Sequence, residues 1–554
     1  MANATDSFDA IILGTGVTES ILSAALSRNG KTVLHLDDAD VYGSHYAALN
    51  LRALLTFLHG ATLTSARKPE VSKAFRNIEI NVHAPQQPPV PEPESDTFHR
   101  KTVDWLSRHP DLLPVATHIL LSPTTHGSSD APSRAVMHEH LTNPSSDQAI
   151  NDTVTRKIHV LMDLLQQHRQ WSIELTPKVF LSRGDMVELL ISSGGSRYVE
   201  FKALEAVYIS SDLGTSRVPA SKEDVFANPS VPLVEKRHLM RFMTSALNLL
   251  DHPDEISEDE NCSFSEYLEI QRLGPKMRQV IIHALAMSDR ADITTRAGLE
   301  STNRQLQSLG RFGRTAYLCA LYGAGAELSQ GFCRMSAVYG GTFMLNQHLQ
   351  SISLESESWR VSRQGGTMST ARYLIASSAY SSLLSDSEPP SETITRLILI
   401  LDGSIHSDSS LSVTVFPPSN ADGYAIFGIQ HSFDTNACPY GKFVLYLTTR
   451  ADGGAAKEEL FRAASRLVNI AGAVDATKPN CLLSILYNQT HLIAPPLPPS
   501  FSPLSSVLYC STADASLDLD SHVGEAQRIF RLVCGEGAEF LPQSPAPVDD
   551  DVAN

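Results

Sequence analysis

The chain has 554 residues, 42% hydrophobic and 19% charged, which gives room for two to four domains and the profile of a globular protein with some polar, irregular stretches. Forty-four Lys and Arg against sixty-one Asp and Glu leave a net charge of −17, which argues against nucleic acid as a partner, because phosphate binding needs concentrated positive charge. Seven scattered cysteines contain no C-x-x-C pair, so the expectation is reduced thiols and no zinc site.

The N-terminus has no basic stretch ahead of its apolar run, and no segment approaches ~18 uninterrupted apolar residues, so neither a secretory leader nor a membrane span is expected. Residues 8–13 predict a strand that ends in Gly14-Thr15-Gly16. Ile21, Leu22, Ala25 and Leu26 then recur at helical spacing, and 32–36 predict a second, parallel strand ending at Asp37. Gly14-x-Gly16 in this setting opens a dinucleotide fingerprint, and Asp37 stands where an acid would hold a ribose hydroxyl. The third fingerprint position, however, is Glu19. It adds bulk where helix and strand should approach closely. It also puts a carboxylate at the helix end that would hold a pyrophosphate, where like charges ~4 Å apart repel by ~1 kcal/mol in water and ~4 at an effective dielectric of 20. The expectation is a tight turn without a bound nucleotide, and no cofactor.

Residues 67–150 are rich in Pro, Ser and charge, and predict a polar, largely disordered insertion with a short helix near 102–106. A helix is expected at 158–168. From 221 to 310 the pattern is continuously helical. Ser221…Asp224 and Ser263…Glu266 fit capping boxes, and Leu239, Met243, Ala246 and Leu250 form one apolar stripe. After Gly310 strands follow, at RLILILDG, LSVTVFPP, YAIFGIQHS, KFVLYLTTR, CLLSILYN and SSVLYCST, with helices at 458–470 and 524–533. The tail at 541–554 is Pro- and Asp-rich and expected to be disordered. Twenty histidines occur without H-x-x-x-H or H-E-x-x-H spacing, and neither G-x-S-x-G nor a P-loop is present, so no catalytic set emerges.

Three segments together, 8–37 with its G-T-G-x-x-E turn, SRGDMVELLISSGGSRYVEFKAL (182–204) and LGRFGRTAYLCALYGAGAELSQGFCRMSAVYGGTFML (309–345), resemble the family of Rab GDP-dissociation inhibitors and Rab escort proteins. The escort branch fits better, because the chain is longer than an inhibitor needs and its insertion lies where escort proteins expand. The resemblance implies an α/β fold. A multi-sheet domain similar to FAD-dependent monooxygenases (the GDI fold) is expected from 1–66, 151–220 and 311–540, with a smaller all-helical domain at 221–310.

It further implies a non-catalytic accessory subunit, component A of Rab geranylgeranyltransferase. Such a protein binds GDP-bound Rab GTPases, presents their C-terminal cysteines to the transferase α/β heterodimer, shields the geranylgeranyl lipid and delivers the Rab to a membrane. The expected location is cytosolic, with transient membrane contact and a possible nuclear fraction. A recycling inhibitor and a flavin-dependent oxidoreductase stay open as alternatives. By motif, Tyr42, Glu327, Gln330, Arg334, Thr342 and Met344 correspond to the Rab-binding platform, and Arg311 and Tyr317 to a mobile effector loop, while Gly14, Gly16 and Glu19 form a vestigial dinucleotide turn. From residue type alone, Arg334 could instead be a buried ion-pair partner and Met344 a core residue. Two departures from the family pattern stand out. Ser44 follows Tyr42-Gly43 where a second glycine is usual, which stiffens the backbone. GAGAELSQ carries one residue more than the usual form and Ser329 in place of proline, which predicts a loosened turn before Gln330.

Overall fold

A computed structural model describes residues 6–62, 70–84, 108–109, 112–121, 152–212, 214–227, 232–248, 262–384, 388–420, 423–470, 475–497 and 502–542. The first strand, Asp6–Leu13, runs parallel to both Val33–Leu36 and Met368–Ser377. Val33–Leu36 takes Thr342–Met344 along its other edge. Leu349–Glu355, Ser358–Arg363 and Leu508–Cys510 complete a seven-stranded sheet. The helix Val17–Arg28 closes the βαβ unit, and every residue in it except Arg28 is buried. It is enclosed because two further helices, Ala324–Val338 and Asp520–Cys534, pack onto it.

Five of the six strands expected from the apolar runs lie in a second, eight-stranded sheet, and the sixth, Leu508–Cys510, belongs to the first. In the strand Ser391–Leu401, Leu397, Leu399 and Leu401 face the helix Gly453–Leu467, while Ile398 and Ile400 face the main core. Burial on both faces explains why these strands read as unbroken apolar runs rather than alternating ones.

The helical run breaks into Lys222–Ala227, Leu233–Leu247, Phe264–Ile270, Pro275–Gln279, a π-helical turn at Val280–Leu285, and Thr295–Ser308. These elements surround a core of their own, with Leu239, Phe242, Phe264, Leu268, Ile281 and Leu299 at its centre. At Ser263 the capping box is complete: its hydroxyl accepts the Glu266 N–H, and the Glu266 carboxylate accepts the Ser263 N–H at 2.8 Å. At Ser221 the hydroxyl accepts the Asp224 N–H, but the Asp224 carboxylate takes the amide of Ala220 instead.

Part of the expected insertion is folded core. Phe75–Val82 is the edge strand of the eight-stranded sheet, and Leu112–Leu121 buries Leu112, Val115, Ala116 and Ile119. Both segments carry enough apolar surface to offset their ordering, and flanking proline-rich sequence conceals them. Leu541, placed in the tail by composition, is buried. The helix expected near 102–106, most of the remaining insertion, and the tail from 543 lie outside the described residues. The helix Ala324–Val338 and the meander Leu349–Ser377 fall where the sequence pattern gave only strands or nothing. Gly325 and Gly331, poor helix formers, obscure the helical spacing of Leu328, Phe332 and Met335.

Candidate functional site

The glycine turn is closed by its own residues. Gly14 has φ 96°, and a Cβ on Gly16 would collide with the Glu19 carboxylate, which folds back over the helix start. Glu19 is 2% exposed, and burial pushes its carboxyl up to about 8, so it is largely protonated at neutral pH. Asp37 accepts the Thr15 amide at 2.7 Å, the Thr15 hydroxyl at 2.6 Å, the Ser44 hydroxyl at 3.1 Å and the Ala39 amide at 3.0 Å, with the Tyr380 hydroxyl 3.3 Å away. Burial still outweighs these bonds and raises its pKa. A dinucleotide does not fit this set: Glu19 takes the pyrophosphate place, and the acid meant for a ribose is engaged internally.

Ser44 reaches the left-handed conformation (φ 48°) that a glycine would adopt freely. Two hydrogen bonds hold it there, one donated to Asp37 and one accepted from the Thr15 amide at 3.1 Å. The stiffness expected at this departure is thus built from the glycine turn's own residues, and it fixes the approach to Tyr42, which is half-buried.

Beside this turn, Ala324–Val338 packs tightly on Val17–Arg28. The hydroxyls of Ser23 and Ser27 each lie 2.9 Å from that of Ser336, and Gly325 lies so close to Tyr46 that a Cβ would strike the tyrosine side chain. The segment expected as a loosened turn is therefore regular helix. Ser329 is fully buried and its hydroxyl has no hydrogen-bond partner. The opposite face of the helix carries Glu327, Gln330 and Arg334 at spacings of three and four, half-buried for Glu327 and exposed for the other two. Arg334 is not a buried ion-pair partner: its guanidinium lies 5.4 Å from the centre of the Tyr198 ring. Burial, and then the charge of Glu200, push the Glu327 carboxyl up. Thr342 is exposed on the edge strand, and half-buried Met344 receives a contact from the Arg363 guanidinium at 2.8 Å. Tyr42, Glu327, Gln330, Arg334, Thr342 and Met344 thus lie on adjoining elements around one helix face and one sheet edge.

Tyr317 requires correction. It opens the strand Tyr317–Ala320, is 3% exposed and belongs to the main core, so it is no loop contact. Arg311 is tied inward: it donates to the Ser182 carbonyl at 2.6 Å and pairs with Glu188. Arg314, beside it, pairs with Asp224 at 3.1 Å.

Sequence reasoning missed a buried polar network around Lys178, Arg396 and His522. The Lys178 ammonium, fully enclosed, meets the Asp514 carboxylate at 2.5 Å. Arg396 donates to Gln489 at 2.6 Å, Thr448 at 2.9 Å and the Asp514 carbonyl at 2.9 Å, while His522 bridges Tyr46 (2.6 Å) and Thr18 (2.9 Å). Burial alone would raise Asp514, but Lys178 and His522 hold it well below the usual carboxylate range. The partners lie from 52 to 504 residues apart, so no local motif signals them. Among the described residues no cluster of His, Cys, Asp or Glu could hold a metal ion, and no helix is long and apolar enough to cross a membrane.

The chain matches the model of the family described as "GDP dissociation inhibitor" over residues 4–82 and 155–490. It is 28% identical to Rab proteins geranylgeranyltransferase component A 1 of Rattus norvegicus and 29% to component A 2 of Homo sapiens, covering 99% of this chain and 93% of each relative. It is 26% identical to Rab escort protein 1 of Arabidopsis thaliana, over 98% of this chain and 95% of that one. Among solved structures it is similar to a Rab GDI from Plasmodium falciparum, with TM-score 0.63, 18% identity, and 96% of this chain and 99% of that one covered. It is also similar to an oxidoreductase from Methanosarcina mazei, with TM-score 0.51, 10% identity, and 95% and 99% covered. Both likenesses concern the fold.

Proposed function

The chain belongs to the GDP dissociation inhibitor family, and from that premise we propose that it is a non-catalytic escort for Rab GTPases. It binds the GDP-bound GTPase on the face built by Tyr42, Glu327, Gln330, Arg334, Thr342 and Met344. It presents the GTPase's C-terminal cysteines to the α/β heterodimer of Rab geranylgeranyltransferase, then shields the lipid and delivers the product to a membrane. The observation that carries this reading is the pairing of a closed nucleotide turn with an outward stripe on the adjoining helix. The turn is filled by its own bonds, and the polar side chains on the far face of the adjoining helix face outward. The names of the relatives support the choice of partners.

The lipid gives the task its physical reason. Two prenyl chains, about forty carbons in total, at ~0.8 kcal/mol per buried CH₂, would fix a GTPase on a bilayer almost irreversibly, so a soluble carrier has to cover them. The helical unit is the proposed place for lipid and transferase contact. It exposes Phe226, Leu233, Val234 and Ile270, large apolar side chains that its own core leaves outside.

The test is reconstituted prenylation. Purified chain, GDP-loaded Rab, transferase heterodimer and isoprenoid donor should give lipid incorporation well above a reaction lacking the chain. Arg334→Ala should weaken Rab binding by about 2 kcal/mol, as truncation of an interface anchor does. Background incorporation refutes the escort role. Extraction of prenylated Rab from membranes without support of the transferase would instead identify a recycling inhibitor.

A further inference from the structure

At the N-terminal end of the platform helix stand three exposed aromatic side chains. Tyr322 is 51% exposed, Phe433 42% and Tyr440 83%, and the Phe433 and Tyr440 rings meet edge to face with centres 4.9 Å apart. Rings this open add little to a core, yet the backbone around them is held with care. Tyr322 sits in the left-handed region at φ 64°, unfavourable for a bulky side chain. Its N–H donates to the Thr435 carbonyl at 2.9 Å, and its carbonyl accepts the Ser172 hydroxyl at 2.6 Å. The Ser172 N–H in turn donates to the Ala437 carbonyl at 3.0 Å. Backbone strain that surrounding bonds enforce at an exposed site points to use of that site.

The cluster adjoins the platform. Tyr322 immediately precedes Gly323, the cap of the helix that bears Glu327, Gln330 and Arg334. Leu321 donates its N–H to the Glu200 carbonyl at 3.0 Å, and Glu200 is the residue whose charge bears on Glu327. Two residues on, Lys202 pairs with Asp434 at 2.8 Å, next to Phe433. One surface therefore runs from Arg334 past Glu327 and Glu200 to the aromatic rings, with acidic side chains between two rigid anchors.

We propose that Tyr322, Phe433 and Tyr440 form a second docking patch for the same GDP-bound GTPase, taking an apolar patch of the partner that is flanked by Lys or Arg. This rests on the docking reading of the platform. Exposed aromatic anchors at the end of a polar stripe are the arrangement in which a few side chains dominate binding, because large rigid rings lose little freedom when covered.

The test compares affinities of the full chain for a GDP-loaded Rab. The variants are Phe433→Ala/Tyr440→Ala, Tyr440→Ala alone and Arg334→Ala, each checked for an unchanged thermal unfolding midpoint. The double variant should bind about tenfold or more weakly, and Tyr440→Ala, at a side chain too open to affect folding, should lose a substantial part of that. If Arg334→Ala weakens binding while both aromatic variants bind as wild type, the second patch is wrong and the platform stands. If all three bind as wild type, the platform reading itself fails and the patch with it. Loss confined to transferase binding, with Rab affinity intact, also overturns the proposal.

Discussion

Ionising Glu19 inside the protein would strip its charge of water, so the folded carboxyl keeps its proton to about pH 8 against an ordinary value of 4.5. Between those two values the native state binds a proton that the unfolded state has released. Stability therefore falls as pH rises through this window, and the full cost stands above it. Glu19→Gln keeps the shape without the titration. Denaturant unfolding should find it more stable than wild type at about pH 8 by a few kcal/mol, with the difference gone by about pH 4. An equal difference at both values would mean that the carboxyl titrates alike in the folded and unfolded states. The sequence made Glu19 legible as an intruder in a glycine fingerprint. It did not show that the carboxyl turns back onto Gly16, nor that Asp37 is held by Ser44 and Tyr380, because those contacts depend on chain returning from elsewhere.

Ala324–Val338 holds its exposed stripe in place because it lies close to what is beneath it. The approach is set at Gly325, where an added methyl meets the Tyr46 side chain. Gly325→Ala should cost about 1–3 kcal/mol in denaturant unfolding, the usual price of overpacking, because neither helix nor ring has room to yield. A neutral result would show that the helix and the Tyr46 backbone can move apart, since the first clash is with the Tyr46 Cβ. At this scale five of the eight strands of the second sheet are readable from apolar runs, and the Ser263 cap from its four-residue pattern. The platform helix is not, because the small residues that let it pack, Gly325, Ser329, Gly331 and Ser336, lower its helical signal. Tyr317 was misplaced for a related reason. Motif correspondence fixes position along the chain, while the burial of a ring depends on the strands at either side, here Phe180–Leu181 and Phe201–Ala203.

Across the whole molecule, the Lys178–Asp514 pair and Arg396 join the eight-stranded sheet to the segment leading into Asp520–Cys534, which packs on the first βαβ helix. Asp514→Ala leaves Lys178 enclosed without its counter-charge. It should lower global stability by ~3 kcal/mol or more, seen as a shifted denaturant midpoint by every probe. A change limited to one region would show that the sheets do not depend on this junction.

The self-occupied glycine turn also bears on whether a nucleotide could be engineered into this scaffold. Glycine at position 19 alone would vacate the helix start and leave Asp37 committed to Thr15, Ala39 and Ser44. A flavin nucleotide would then have to break that set before gaining any contact of its own. A single substitution would therefore surrender inner bonds without gripping an outer ligand, so opening the turn is uphill until several residues change together.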